Sequence, residues 1–175
     1  PVLPPGAGTQ ANLLAHCTSC GLCVAQCPYQ AIVPAGLDYG SRGLMMPKLD
    51  FGHGFCDFHC HTCSHVCPTG ALTPLAHDEK CRTKIGSADY TPWHCVVEHD
   101  HVSCRICAEH CPAKAITMEK GADGRSRPVV DDAKCVGCGA CEYSCPAKPK
   151  AMRVQGLDAH TFVFGGLTLF ALLPG

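Results

Sequence analysis

The apolar residues of this chain fall mostly into short pairs. Four such pairs follow a Cys-Pro dipeptide after a short spacer, at Ala31-Ile32, Ala71-Leu72, Ala115-Ile116 and Ala151-Met152. Each pattern is typical of a loop that leads into a short strand. Because the same arrangement recurs four times, the chain contains an internal repeat.

The second half of the chain carries the complete form of this repeat. Residues 128–130 are predicted to form a strand, with 116–118 as its partner, and residues 151–154 to form a closing strand. The glycines of 121–124 are typical of a turn between strands. The repeat therefore predicts one contiguous module over residues 86–157.

The first half has fewer regular signals. Proline and glycine recur between residues 34 and 54, which predicts an irregular loop. A module over residues 11–78 follows by elimination, and the charged segment 79–85 is predicted to link the halves. Residues 1–10 are expected to be an extended lead-in. Because the chain opens on Pro1 without a methionine, we expect a processed or missing start.

The composition indicates that the cysteines supply part of the stability that the modest apolar fraction does not. The chain has 175 residues, of which seventeen are cysteines, and 46% count as hydrophobic with cysteine included. Without cysteine about 36% are apolar, which is low for a globular core. Fourteen basic and fifteen acidic residues give a net charge of −1 and no basic surface for nucleic acid. A small chain this rich in cysteine is a disulfide scaffold or a metal protein.

The cysteine spacing decides between these classes. Sixteen cysteines form four motifs, each ending in Cys-Pro, and Cys81 alone is left over. Motif one is Cys17, Cys20, Cys23 and Cys27; motif two is Cys56, Cys60, Cys63 and Cys67; motif three is Cys95, Cys104, Cys107 and Cys111; motif four is Cys135, Cys138, Cys141 and Cys145. Motifs one and four have the bacterial ligand spacing for [4Fe-4S] clusters.

The fourth cysteine of such a motif ligates the other cluster of a pair. The rule predicts four clusters with sixteen ligands and leaves out Cys81. The predicted sets are Cys17, Cys20, Cys23 and Cys67; Cys56, Cys60, Cys63 and Cys27; Cys95, Cys104, Cys107 and Cys145; and Cys135, Cys138, Cys141 and Cys111. Since coordinated thiols are deprotonated, the loaded chain is expected to carry a net charge of about −9.

Three alternatives stay open at this point. Motif one could pair with motif four and motif two with motif three, a nested order that ranks second. His53, His59, His61 and His65 crowd motif two, so a zinc-stabilised interaction module is a second alternative. The third is an iron–sulfur subunit of an oxidoreductase in which one cluster is directly catalytic. No phosphate-binding loop or hydrolase motif competes with a role as electron carrier.

The motifs resemble those of the MauM/NapG-type polyferredoxins. The resemblance rests on Pro4-Pro5-Gly6-Ala7, on motif one with Pro28, and on Cys95 ahead of the rest of motif three. It covers residues 4 to about 155. Motif two departs from the family pattern, with three residues between Cys56 and Cys60, so its local loop is expected to differ in shape.

The resemblance implies an electron-transfer protein with four [4Fe-4S] clusters. Such a protein lies at the periplasmic face of the bacterial cytoplasmic membrane and relays electrons between a quinol-linked membrane subunit and a redox enzyme or cytochrome. The expected fold is α+β, with two tandem bacterial-type ferredoxin-like modules that are rich in loops and short strands. Within the segment 158–175, the apolar residues 162–173 are too few to span a bilayer of about 30 Å and are expected to dock on a partner or membrane.

Overall fold

The computed structural model describes residues 1–164 and 167–169, with side chains for residues 1–163. The helices are α1 (Gln10–His16), α2 (Leu22–Ala25), α3 (Thr62–His65), α4 (His77–Arg82), α5 (Val96–His99), α6 (Ile106–Glu109) and α7 (Ala140–Ser144). The strands are β1 (Ile32–Pro34), β2 (Pro47–Leu49), β3 (Thr83–Tyr90), β4 (Ile116–Lys120), β5 (Ser126–Val130), β6 (Met152–Phe164) and β7 (Leu167–Leu169). Short helices and small sheets make this a mixed α+β fold, which fits a ferredoxin-like architecture.

Two antiparallel hairpins follow motifs one and three. In the first, β1 pairs with β2, with Ile32 opposite Leu49. In the second, β4 pairs with β5, with Ile116 opposite Val130, which confirms the strands expected there. The turn between them closes where the Gly124 N–H donates to the Gly121 carbonyl at 2.9 Å.

Strand β6 begins where the closing strand is expected, and most of its partner strand β3 also lies within the predicted module of residues 86–157. It pairs antiparallel with β3, with Tyr90 opposite Met152 and Gly86 opposite Gly156. On its other edge β6 pairs with β7. The sequence pattern predicts neither this partner nor the length of β6.

Residues 79–85, the predicted charged link between the halves, lie in α4 and β3, and four of the seven are buried. The charge is compensated inside the fold. The buried Lys84 ammonium lies 2.7 Å from the Asp132 carboxylate, and the buried Lys80 ammonium donates to the Asp57 carbonyl at 3.0 Å. A buried ammonium is tolerated when it is paired in this way.

Residues 1–10 are also packed, whereas the sequence predicts only an extended lead-in. Val2 forms a bridge with Leu49, and Thr9 forms one with Ala159. Leu3 is 1% exposed. The Thr73 N–H donates to the Gly6 carbonyl at 2.9 Å, and no strand forms at Ala71-Leu72. The lead-in is therefore hydrogen-bonded to the segment after motif two, where a repeat strand is expected.

Each half of the chain has its own apolar cluster, and a third, smaller cluster lies between them. In the small cluster Val136, Cys138 and Ala140 pack against Phe55 and Phe58. The module boundaries 11–78 and 86–157 stay a prediction. Of the apolar tail, residues 165–166 and 170–175 lie outside the described residues. No helix among the described residues is long and apolar enough to cross a bilayer.

Candidate metal centres

Four cavities in the structure are each lined by four cysteines. The cysteines of cavity one are Cys17, Cys20, Cys23 and Cys67; those of cavity two are Cys27, Cys56, Cys60 and Cys63; those of cavity three are Cys95, Cys104, Cys107 and Cys145; those of cavity four are Cys111, Cys135, Cys138 and Cys141. Each cavity encloses about 290 to 390 Å³, open solvent included. The structure thus brings each predicted ligand set together, while iron ligation itself stays a prediction.

The walls of each cavity come from two motifs. Three thiols of motif one lie on the loop and first turn around α2, which begins after Gly21 in the left-handed conformation with φ +75°. The fourth thiol of cavity one is Cys67 of motif two, and Cys27 of motif one lines cavity two. Helix α2 contacts α3 in the first half, and α6 contacts α7 in the second. Motif one therefore shares its cavities with motif two, and motif three with motif four. The nested alternative, which pairs one with four and two with three, does not match this arrangement.

The irregular motifs reach their cavities through local turns. In motif two the Asp57 carboxylate accepts the N–H groups of His59 and Cys60, both at 3.0 Å, which closes a turn over the extra residue. In motif three the distant Cys95 follows a short 3₁₀ turn, and its N–H donates to the Pro92 carbonyl at 2.9 Å. The unusual spacing therefore changes the loop and leaves the convergence of the thiols intact.

Burial makes the free thiolates unfavourable in these cavities. Desolvation, with a contribution from neighbouring thiolates, raises the pKa of Cys23 to about 11 and that of Cys138 to about 12. The same causes raise the pKa of Cys141 further. In cavity four all four cysteines are buried, so four thiolates there require a positive counter-charge, which iron ions supply. A donor set made only of sulfur fits an iron–sulfur cluster.

The Lys80 ammonium and two backbone N–H groups lie beside cavity cysteines, and the sequence gives no clear signal for these contacts. Burial raises the pKa of Cys56, while the Lys80 ammonium acts in the opposite direction. The Ala115 N–H donates to the Cys111 sulfur at 3.3 Å, and the Leu72 N–H donates to the Cys67 sulfur at 3.4 Å. Only the position of the alanine–apolar pair after each Cys-Pro could have indicated the amide donors.

Cavities two and four meet at the boundary between the halves. The Cys56 N–H donates to the Cys138 carbonyl at 2.9 Å, so a residue of each cavity is hydrogen-bonded to the other. The Phe55 ring lies 5.8 Å from the Tyr29 ring and 5.7 Å from the Tyr143 ring, measured between centroids. Because cavities one and two share motifs, as do three and four, the cavities follow one another in the order one, two, four, three.

Comparison with known protein families agrees with this donor chemistry. The family model described as a 4Fe-4S dicluster domain matches residues 16–71 and 102–148. These two segments contain every cysteine of the four motifs except Cys95. The chain therefore belongs to the 4Fe-4S dicluster domain family.

The relatives narrow the class further. Ferredoxin-type protein NapF of Escherichia coli K12 is 29% identical over 91% of this chain and 87% of its own length. Methylamine utilization ferredoxin-type protein MauM of Paracoccus denitrificans is 33% identical over 90% of this chain and 72% of its own length. Ferredoxin-type protein NapG of Escherichia coli K12 is 29% identical over 94% of this chain and 77% of its own length. The chain is a MauM/NapG-type polyferredoxin, an iron–sulfur electron carrier that holds [4Fe-4S] clusters.

Proposed function

We propose that this chain relays electrons through four [4Fe-4S] clusters between a quinol-linked membrane subunit and a periplasmic redox enzyme or cytochrome. The observation that carries the proposal is the series of four cavities, each lined by four cysteines. A [4Fe-4S] cluster supplies a one-electron redox centre wherever four thiolates hold it. The protein holds the centres, keeps them in sequence and limits their contact with water.

In this proposal all sixteen cysteines of the four cavities are iron ligands, and Cys81 is not. Four thiols in each cavity provide one sulfur for every iron corner of a cubane. Substrate chemistry at a cluster requires an iron without a protein thiolate. The donor sets therefore favour a carrier over a subunit with a catalytic cluster.

The order of the cavities sets the path of the relay. Cavities one and three are the outer members, so they are the points where electrons enter and leave. Cys20 of cavity one is exposed, which brings this end of the series to the surface. Between the halves, the hydrogen bond from the Cys56 N–H to the Cys138 carbonyl connects cavity two to cavity four.

The partners and the location belong to the same proposal. The resemblance to MauM and NapG supports a place at the periplasmic face of the cytoplasmic membrane. The apolar composition of residues 162–173 supports a dock on the quinol-linked subunit or on the membrane. Association with the membrane then takes place through partners.

Metal analysis of anaerobically purified protein tests the proposal. We expect about sixteen iron ions and a similar amount of acid-labile sulfide per chain. Cys67→Ser should remove or alter the cluster of cavity one, whereas Cys27→Ser should act on cavity two, because each cysteine crosses to the partner cavity. EPR spectra of the reduced variants distinguish the two clusters.

Cys81→Ser is the matched control, since Cys81 lines none of the four cavities. It should retain the iron and sulfide content of the unmodified protein. Zinc without sulfide would contradict the relay in favour of the interaction module. Loss of the same EPR signal in both crossing variants would contradict the ligand sets.

A further inference from the structure

The seventeenth cysteine lies beside two histidines in the structure. Cys81 and His77 stand four residues apart on α4, and so face the same side of the helix. His59 reaches them from the loop of motif two. The sulfur of Cys81, Nε2 of His77 and Nδ1 of His59 lie within 4.8 Å of one another.

The separations of these atoms suit a shared metal ion. Nδ1 of His59 lies 3.0 Å from Nε2 of His77 and 3.6 Å from Sγ of Cys81. Around tetrahedral zinc, ligand atoms at the usual bond lengths stand about 3.3 to 3.7 Å apart. The distance from His59 to His77 is a few tenths of an ångström shorter than this range, and the distance from His59 to Cys81 lies within it.

The second nitrogen of His77 is oriented as in established metal sites. Nδ1 of His77 lies 3.3 Å from the Asp78 carboxylate. A metal-bound histidine usually donates its other N–H to a carboxylate or carbonyl, which fixes the ring and its tautomer. With the proton on Nδ1, the lone pair is on Nε2, the atom that lies 3.0 Å from Nδ1 of His59. The His59 backbone is held by the turn at Asp57.

We propose that Nδ1 of His59, Nε2 of His77 and Sγ of Cys81 bind one zinc ion, with solvent in the fourth position. Two imidazoles and a thiolate are a donor set that zinc accepts. His59 and His77 are exposed and Cys81 is partly exposed, so the ion enters directly from solvent. The site is separate from cavity two, which takes Cys60 from the same loop. It ties the loop of motif two to α4, and through α4 to β3.

A zinc titration of the assembled protein tests the site. With ZnCl₂ as the probe, elemental analysis and calorimetry should give one zinc per chain and no loss of iron. Cys81→Ser and His77→Ala should each weaken binding at least tenfold. His53→Ala is the control, because this neighbouring exposed histidine is not part of the site and should leave zinc binding unchanged.

Alkylation of Cys81 gives a second measurement that does not depend on the clusters. Iodoacetamide should modify Cys81, identified by mass spectrometry of its peptide, and zinc should slow this reaction at least tenfold. His77→Ala should abolish the protection. Zinc uptake equal in all variants, a reaction rate that zinc does not change, or zinc bound with loss of iron would overturn the proposal. Missing iron and sulfide with zinc protection intact would contradict the electron relay alone.

Discussion

At the scale of single residues, His160 shows how burial changes a titratable group. Its Nε2 atom is shielded from solvent and has no hydrogen-bond partner among the residues that the structure describes. Desolvation lowers the pKa of His160 to about 4, and the backbone of Leu3 opposes this effect only weakly. The ring is therefore neutral in the folded protein under conditions in which an unfolded chain binds a proton.

The free energy of unfolding should consequently depend on pH through His160. Because its pKa is depressed from 6.5 in the unfolded chain to about 4 in the folded one, this contribution is complete above pH 7 and declines as the pH falls. Between pH 7 and pH 5 the loss should be about 2 kcal/mol. Denaturant unfolding at both pH values measures it.

His160→Gln should remove this pH dependence, whereas the exposed His101→Gln should leave it unchanged. Comparing each variant with the unmodified protein separates His160 from all other groups that titrate. An unchanged slope in His160→Gln would show that the ring is accessible to protons in the folded state.

The cysteines and the histidine cluster differ in how far the sequence predicts them. Except for the distant Cys95, the cysteines of one motif are separated by only two or three residues, so their spacing alone groups them. His59 and Cys81 are brought together only because α4 packs beside the loop of motif two. No periodicity in the sequence encodes that contact. The sequence therefore predicts the sixteen grouped cysteines and leaves Cys81 unexplained.

At the scale of elements, the N-terminal segment has a structural role that its composition conceals. Proline and glycine predict an extended chain, and residues 1–10 are extended for part of their length. Their burial arises from the shape of the rest of the fold, where Val2 extends the hairpin of β1 and β2 through its bridge to Leu49. Local sequence carries no signal for that contact, because Leu49 is far along the chain.

Leu3→Ala should therefore destabilise the protein. Leu3 is 1% exposed, and removal of a buried leucine side chain costs about 2 to 5 kcal/mol. Leu37→Ala is the matched control, since Leu37 is 74% exposed and should change stability by less than about 0.5 kcal/mol. Denaturant midpoints of the two variants give the comparison. Equal midpoints would mean that the lead-in is not part of the cooperative core.

At the scale of the whole molecule, two equivalent glycines differ in their distance from the boundary between the halves. Gly21 in motif one and Gly139 in motif four occupy the same position of the repeat, with φ of +75° and +80°. A Cβ at Gly21 would meet no atom of the described part of the chain within 4 Å. A Cβ at Gly139 would overlap the ring of Phe51, which is buried in the core of the first half.

Gly139→Ala should accordingly cost more than Gly21→Ala. Both variants lose about 1 to 2 kcal/mol from the left-handed backbone, and Gly139→Ala loses about 1 to 3 kcal/mol more from overpacking. Stability is measured by denaturant unfolding, and cluster retention by the decay of visible absorbance. Equal effects of the two substitutions would show that the halves can separate at Phe51 without loss of stability.

The crossing of cysteines between motifs has a consequence for biosynthesis. The fourth cysteine of cavity one is Cys67 and that of cavity three is Cys145. Neither cavity therefore has all four cysteines until the second motif of its pair has been synthesised. The first half can be completed before the second half has been translated. Cavities two and four need no cysteine beyond Cys63 and Cys141, so in each half we expect the cavity that contains the second motif's first three cysteines to be complete before its neighbour.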